Sequence, residues 1–120
     1  CQEIHEAVVP LQYNFFRRKD RLEEAIAKLQ KVQNKLKTAV AKDFHQLAKI
    51  NEADAMAVSG EITFRAALMR EESRGTHKRE DFPERDDKRW LQWIVVEQKD
   101  GNMQFSKEPV PLDTYKFKMA

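Results

Sequence analysis

The chain has 120 residues, 41% hydrophobic and 35% charged, enough for one modest core and too few for a dinucleotide-binding domain beside a second one. Its 22 basic residues stand against 20 acidic ones, so the formal charge of +2 is balance, and no polyanionic partner is demanded. The one cysteine, Cys1, excludes an internal disulfide and any C-x-x-C metal site, and no apolar run approaches the ~18 residues of a membrane span.

The chain opens on Cys1-Gln2-Glu3-Ile4 with neither an initiator methionine nor a signal-peptide pattern, as expected of a segment of a longer polypeptide. From about 2 to 16, Ile4, Val8, Leu11 and Phe15 recur at helical spacing and predict one face of a first helix. Pro10 is expected to kink or restart it. Arg17-Arg18-Lys19-Asp20 reads as an exposed hinge. The clearest helix runs from about 20 to 41, with Leu22, Ile26, Leu29, Val32, Leu36 and Val40 as its stripe and no Gly or Pro inside it. A stripe of this width predicts a core-facing bundle helix.

Asp43 to Ile50 predicts a short helical turn that buries Phe44, Leu47 and Ala48. Asn51 then reads as the N-cap of a third helix, from 51 to about 73, with Glu52 and Asp54 near its positive end. Its predicted inner face is Ala53, Met56, Ala57, Gly60, Phe64, Ala67 and Leu68, mostly small residues that let a neighbouring helix come close. Gly75 suits the C′ position that would end this helix.

From 74 to 89 charges of both signs alternate, and Phe82 is the one large apolar side chain. Solvated linkers tend toward one sign of charge or toward Gly/Ser padding. This stretch must either pair its own charges or present guanidinium forks and carboxylates to another protein surface. The period then changes. Residues 90–97 read as a strand, Asp100-Gly101 as a hairpin turn and Met103 to Lys107 as the return strand, giving a hairpin over about 90–107. Pro109 and Pro111 stop it, and 113–120 reads as a tail. The predicted fold is mainly α: one domain over 1–120, a three-helix, spectrin-repeat-like bundle with a C-terminal β-hairpin and an extended tail.

Chemical motifs are sparse. His5, His45 and His77 have no metal-ligand spacing, and the adjacent Asp86 and Asp87 would point apart on any regular element. The glycines at 60, 75 and 101 form no G-x-G-x-x-G window. No catalytic, metal-binding or cofactor-binding residue is expected in the chain itself. Lys28, Lys31 and Lys35 share a helix face and, with Arg17, Arg18 and Lys19, leave open a stand-alone helical interaction module binding protein or nucleic acid. Glu23 and Glu24 dilute that face, and no aromatic platform accompanies it. A hydrolase built on His77 with Glu72 or Asp81 lacks a nucleophile or a metal.

The run E-S-R-G-T-H-x-R-E-D-F-P-x-R-D-D from Glu72 to Asp87, followed by Trp90, resembles the signature of the C-terminal helical domain of succinate dehydrogenase/fumarate reductase flavoprotein subunits. L-aspartate oxidase and adenylylsulfate reductase are more distant relatives. The resemblance implies a domain that braces the FAD domain of an oxidoreductase interconverting succinate and fumarate, and that catalyses nothing alone. FAD and the catalytic residues would lie upstream in the parent protein. The implied partners are the flavin-binding domain of the same chain and an iron–sulfur subunit, with no nucleic acid and no direct membrane insertion. The implied location is cytoplasmic, or peripheral on the cytoplasmic face of the membrane through partner subunits. Carried over by position, Arg74 and His77 would hydrogen-bond to the flavin domain while Arg79, Asp81, Arg85 and Asp86 organise the loop, and all six are expected as interdomain docking residues. Thr76 stands where Ala is usual. Trp93 stands where many members carry His, which leaves a fumarate-reductase-like or adenylylsulfate-reductase-like branch as open as the succinate dehydrogenase one.

Overall fold

The computed structural model describes residues 2–116, so Cys1 and the end of the expected tail lie outside the described residues. The elements are α1 (Gln2–Val8), α2 (Leu11–Asn14), α3 (Lys19–Leu36), α4 (Phe44–Met69), α5 (Asp87–Trp90), β1 (Gln92–Lys99), β2 (Asn102–Pro109) and a closing 3-10 turn (Leu112–Thr114). This is the expected helical bundle followed by a hairpin. α3 and α4 form its backbone, and α1 lies against both. The predicted stripe of α3 is buried at Leu22, Ala25, Ile26, Leu29 and Val32, and α1 adds Ile4 and Ala7 to the same core.

Several boundaries differ from expectation. The first helix breaks rather than kinks. Pro10 sits at φ −55° and ψ 134°, an extended conformation that the helix cannot pass through, and α2 restarts with a new phase. Tyr13 now points into the core, its hydroxyl accepting from Lys28 Nζ at 2.7 Å. Leu11 and Phe15, expected on the core face, are exposed together with Phe16.

The helix expected to run to 41 ends at Leu36, and Val40 lies exposed on the connection to α4. The helical turn expected at 43–50 and the helix expected from 51 are one continuous α4. Its cap is Asp43, which accepts from the Gln46 N–H at 2.8 Å, while Gln46 Oε1 accepts from the Lys42 N–H at 3.0 Å. Asn51 is therefore interior. None of the described residues covers these first turns: Phe44 is 91% exposed, and Leu47 and Ala48 are exposed rather than buried.

The inner face of α4 is buried at Ala53, Ala57, Gly60, Phe64 and Ala67, while Met56 is exposed and Leu68 half-buried. α4 stops at Met69, four residues before the expected end, and Gly75 is not its C′ residue. Gly75 keeps the left-handed φ of +55°, but in a tight turn where Arg74 and His77 exchange both backbone hydrogen bonds, at 2.7 and 2.9 Å. Trp90 is not in the strand. It closes the one-turn α5, whose N-cap Asp86 accepts from the Arg89 N–H. The hairpin turn has positive φ at both Asp100 and Gly101, the geometry whose twist matches the flanking strands. Val96 faces Phe105 across the ladder and Ile94 faces Lys107, giving one half-buried face. The tail begins with the 3-10 turn rather than in extended form.

Gly60 marks the closest approach in the bundle. A Cβ there would meet Leu29 Cδ1 at 3.0 Å and Val8 Cγ2 at 3.2 Å. Gly60→Val is expected to cost roughly 1–3 kcal/mol by overpacking. Gly60→Ala should cost less, because its gain in helix propensity of about 1 kcal/mol offsets the strain. Urea midpoints at unchanged slope measure both; equal stability of wild type and Gly60→Val would refute the close packing.

Candidate functional site

The charged loop from Arg70 to Asp87 closes on itself around a buried cation. Arg79 is 2% exposed, and its guanidinium uses every nitrogen. Nη1 donates to the carbonyls of Ala67 (2.8 Å), Leu68 (3.0 Å) and Arg70 (3.2 Å), the open carbonyls at the C-terminal end of α4. Nε and Nη2 form a fork onto Asp81, both at 2.7 Å, and the Phe82 ring lies 5.0 Å from the guanidinium. A positive charge at a helix C-terminus is favoured by the helix dipole. Asp81 continues the chain of contacts, because its Oδ2 accepts from the Lys19 N–H at the start of α3 (3.0 Å). The α3 N-cap, Arg18, supplies no side-chain cap of its own. One ion pair thus caps the end of α4 and the beginning of α3.

His77 is held in the same way. The Arg17 guanidinium, which can only donate, lies 2.8 Å from Nδ1, so Nδ1 accepts and Nε2 carries the proton toward the Arg70 carbonyl at 3.2 Å. Burial pushes the imidazole pKa below its ordinary value. The hydrogen bond to Arg70 opposes this and the charges of Arg17, Arg79 and Arg70 add to it. The Arg17 carbonyl also accepts from the Glu80 N–H at 2.8 Å, stitching the loop to the chain before α3.

A second centre is Glu72, whose side chain is fully buried. It accepts from Arg70 Nη1 (2.6 Å), Arg74 Nε (2.8 Å), Arg74 Nη2 (3.1 Å) and the Asp86 N–H (2.9 Å). Burial pushes this carboxyl up, but Arg74, the Asp86 amide and Arg70 outweigh it and hold it below the usual carboxylate range. Arg70 also donates to the carbonyls of Trp90 and Gln92, which ties the hairpin to the bundle. Trp90 is packed among cations, with Lys107 Nζ 3.8 Å from its ring and Arg70 and Arg89 nearby. Asp87, paired by Arg85 and Arg74, titrates near 2. Among the described residues no group of three or more His, Cys, Asp or Glu could hold a metal ion.

The profile of the fumarate reductase flavoprotein C-terminal family matches residues 6–120. The chain belongs to this family. It is 34% identical over 95 residues to the fumarate reductase flavoprotein subunit of Helicobacter pylori, covering 75% of this chain and 13% of that protein. It is 29% identical over 99 residues to the succinate dehydrogenase flavoprotein subunit of Coxiella burnetii, covering 78% and 17%. The chain therefore spans less than a fifth of the length of these curated relatives. Among solved structures, adenylylsulfate reductase from Archaeoglobus fulgidus aligns over 97% of this chain and 19% of its own, with a TM-score of 0.79 at 23% identity. E. coli quinol fumarate reductase aligns over 93% and 20%, with a TM-score of 0.78 at 24% identity. Both are likenesses of fold.

In this flavoprotein C-terminal domain the six residues expected at a docking face fall into two groups. His77, Arg79, Asp81 and Asp86 are engaged inside the domain, as cap, clasp and N-cap. Arg74 is 27% exposed on its side chain and Arg85 56%, and both share Asp87. Arg74 Nη1 makes no hydrogen bond among the described residues. Arg17, Lys19 and Arg70 also hold the loop, though none of them is among the six residues expected at a docking face. Two of them lie in what reads as an exposed hinge, and their signal, a partner about sixty residues away, is invisible to local pattern. Glu61 was also unforeseen. It is buried on α4, accepting from Gln30, Gln33 and Arg65, as an interhelical polar contact. The basic face weighed for nucleic acid is partly neutralised, Lys28 by Glu24 and Lys35 by Glu3.

Two measurements test this geometry. Arg79→Met leaves three helix-end carbonyls and Asp81 without their partner and should cost about 3–5 kcal/mol in chemical denaturation; a loss under ~1 kcal/mol would mean the clasp is dispensable. For His77 the folded pKa lies below the unfolded value of about 6.5, so the unfolded state binds the proton first. Stability should fall as pH drops below that value and level off below the folded pKa, before the carboxylates with depressed pKa begin to add their own loss. His77→Gln should remove this loss between pH 7 and 5. An unchanged profile in the variant would place the titration elsewhere.

Proposed function

We propose that this chain is the C-terminal domain of a FAD-dependent oxidoreductase of the succinate/fumarate type, and that it braces the flavin-binding domain of the same polypeptide without catalysing a reaction itself. The observation that carries the reading is the match of nearly the whole chain to one family of flavoprotein C-terminal domains, while it spans less than a fifth of curated relatives named as fumarate reductase and succinate dehydrogenase flavoprotein subunits. The described residues do not themselves fit FAD. A dinucleotide's pyrophosphate needs a glycine-rich turn leading from a strand into a helix N-terminus. Gly60 lies inside α4, and Gly75 and Gly101 sit in turns that lead into extended backbone. FAD and the redox chemistry accordingly belong to the remainder of the polypeptide, with an iron–sulfur subunit as electron partner.

In this reading the six loop residues divide the work. His77, Arg79, Asp81 and Asp86 hold the loop rigid, and Arg74 and Arg85 can still donate outward to the flavin domain. Trp93, where many relatives carry His, is half-exposed on β1 opposite Glu108 and faces away from the bundle's own core. No helix among the described residues is long and apolar enough to cross a membrane. The proposed location is the cytoplasm or, through partner subunits, the cytoplasmic face of the membrane.

The full-length polypeptide carrying this sequence should be several times heavier than 14.2 kDa, hold flavin, and exchange electrons between succinate or fumarate and an artificial carrier. Arg74→Ala in that polypeptide should lower flavin retention severalfold while the domain stays folded, because Arg70 and the Asp86 amide still hold Glu72. A native polypeptide of the chain's own mass without flavin would overturn the reading, and undiminished flavin in the variant would remove Arg74 from the docking.

A further inference from the structure

The restart at Pro10 has a second effect. It turns Leu11, Phe15 and Phe16 outward, each more than half exposed, on the side of the bundle where the charged loop lies. Together with Gly75, Thr76 and Pro83 they line an open groove of about 810 Å³. Contiguous exposed apolar side chains of this size mark a surface that meets another one. The charges around the groove are already consumed: Arg79 is closed by Asp81 and the α4 carbonyls, and Glu80 by Arg21. Lys78, which also lines it, is the one cation there without a partner among the described residues.

We propose that this ledge of Leu11, Phe15 and Phe16 is the seat for the flavin-binding part of the same polypeptide, which inserts an apolar projection bordered by a carboxylate that meets Lys78. The proposal rests on the reading of the chain as one domain of a larger flavoprotein. The occupant follows from two facts. More than four-fifths of each curated relative lies outside the span this chain matches, which is ample surface to cover the ledge. In the loop that walls the groove, Ser73 to Pro83, Arg79 and Asp81 are turned onto each other and Glu80 is paired with Arg21, so beside Lys78 what the wall offers the groove is backbone, a small turn and apolar surface. Docking at the ledge is then driven mainly by apolar burial, with Arg79 and Asp81 keeping the wall of the groove rigid.

The experiment uses the full-length, flavin-loaded polypeptide and hydroxyl-radical labelling, with Phe44 as the internal reference. By exposure alone, Phe15 and Phe16 would label more than half as fast as Phe44. Covered by the flavin domain, they should label at least about tenfold more slowly. A carbodiimide cross-link from Lys78, analysed in material of monomer mass, should lead to an acidic residue upstream in the same polypeptide. Labelling of Phe15 and Phe16 at the exposed rate overturns the proposal, as does a Lys78 cross-link to a second copy or to another subunit, or none at all. Absence of flavin from the polypeptide would instead overturn the parent reading, so the two failures are distinguishable.

Discussion

The structure depends on one buried guanidinium. Arg79 meets the carbonyl end of α4 with one nitrogen and Asp81 with the other two, and Asp81 reaches the amide end of α3. The two long helices are antiparallel neighbours, so the negative end of one lies beside the positive end of the other. A cation and an anion two residues apart match that pair of termini. A buried ion pair costs desolvation and is stabilising only when all its hydrogen-bonding positions are filled. Here every nitrogen of the guanidinium donates, and the loop backbone is fixed at both flanks, by Ser73 Oγ accepting the Arg79 N–H and by the Arg17 carbonyl accepting the Glu80 N–H.

This arrangement explains how so charged a segment can be ordered. Its charges form two nested sets, one around Arg79 and one around Glu72, joined through Arg70, which contributes its carbonyl to the first and its guanidinium to the second. The same Arg70 secures the hairpin, which as two strands alone would be marginal in water. The bundle, the loop and the hairpin are therefore connected mainly by hydrogen bonds and cation–ring contacts, while the bundle alone has a conventional apolar core.

The sequence made the bundle legible because periodicity is a local signal: the stripe of α3 and the small inner face of α4 lie where spacing places them. It failed where a short-range cap or break competes with the pattern. The Asp43-to-Gln46 pair starts α4 earlier than Asn51 could, and the proline rotates Leu11 and Phe15 out of a face they share with Ile4 only if the helix is unbroken. Trp90 looks like a strand residue by composition, but Asp86 caps a turn of helix that contains it. The loop motif was legible as a family pattern, yet its physics was not. Nothing near Arg17 in sequence indicates that it donates to a histidine sixty residues on.

The clasp between Asp81 and the start of α3 spans 62 residues of chain, and that separation has a kinetic meaning. Such a contact can form only after α3 and α4 have folded back on each other, because until then its loop-closure entropy is not offset by other contacts. Interactions made after the transition state leave the folding rate nearly unchanged and act on the unfolding rate. The loop thus works as a latch in time as well as in space. It should do little to help the domain reach its fold and much to set how long the domain stays there, the property a bracing element requires.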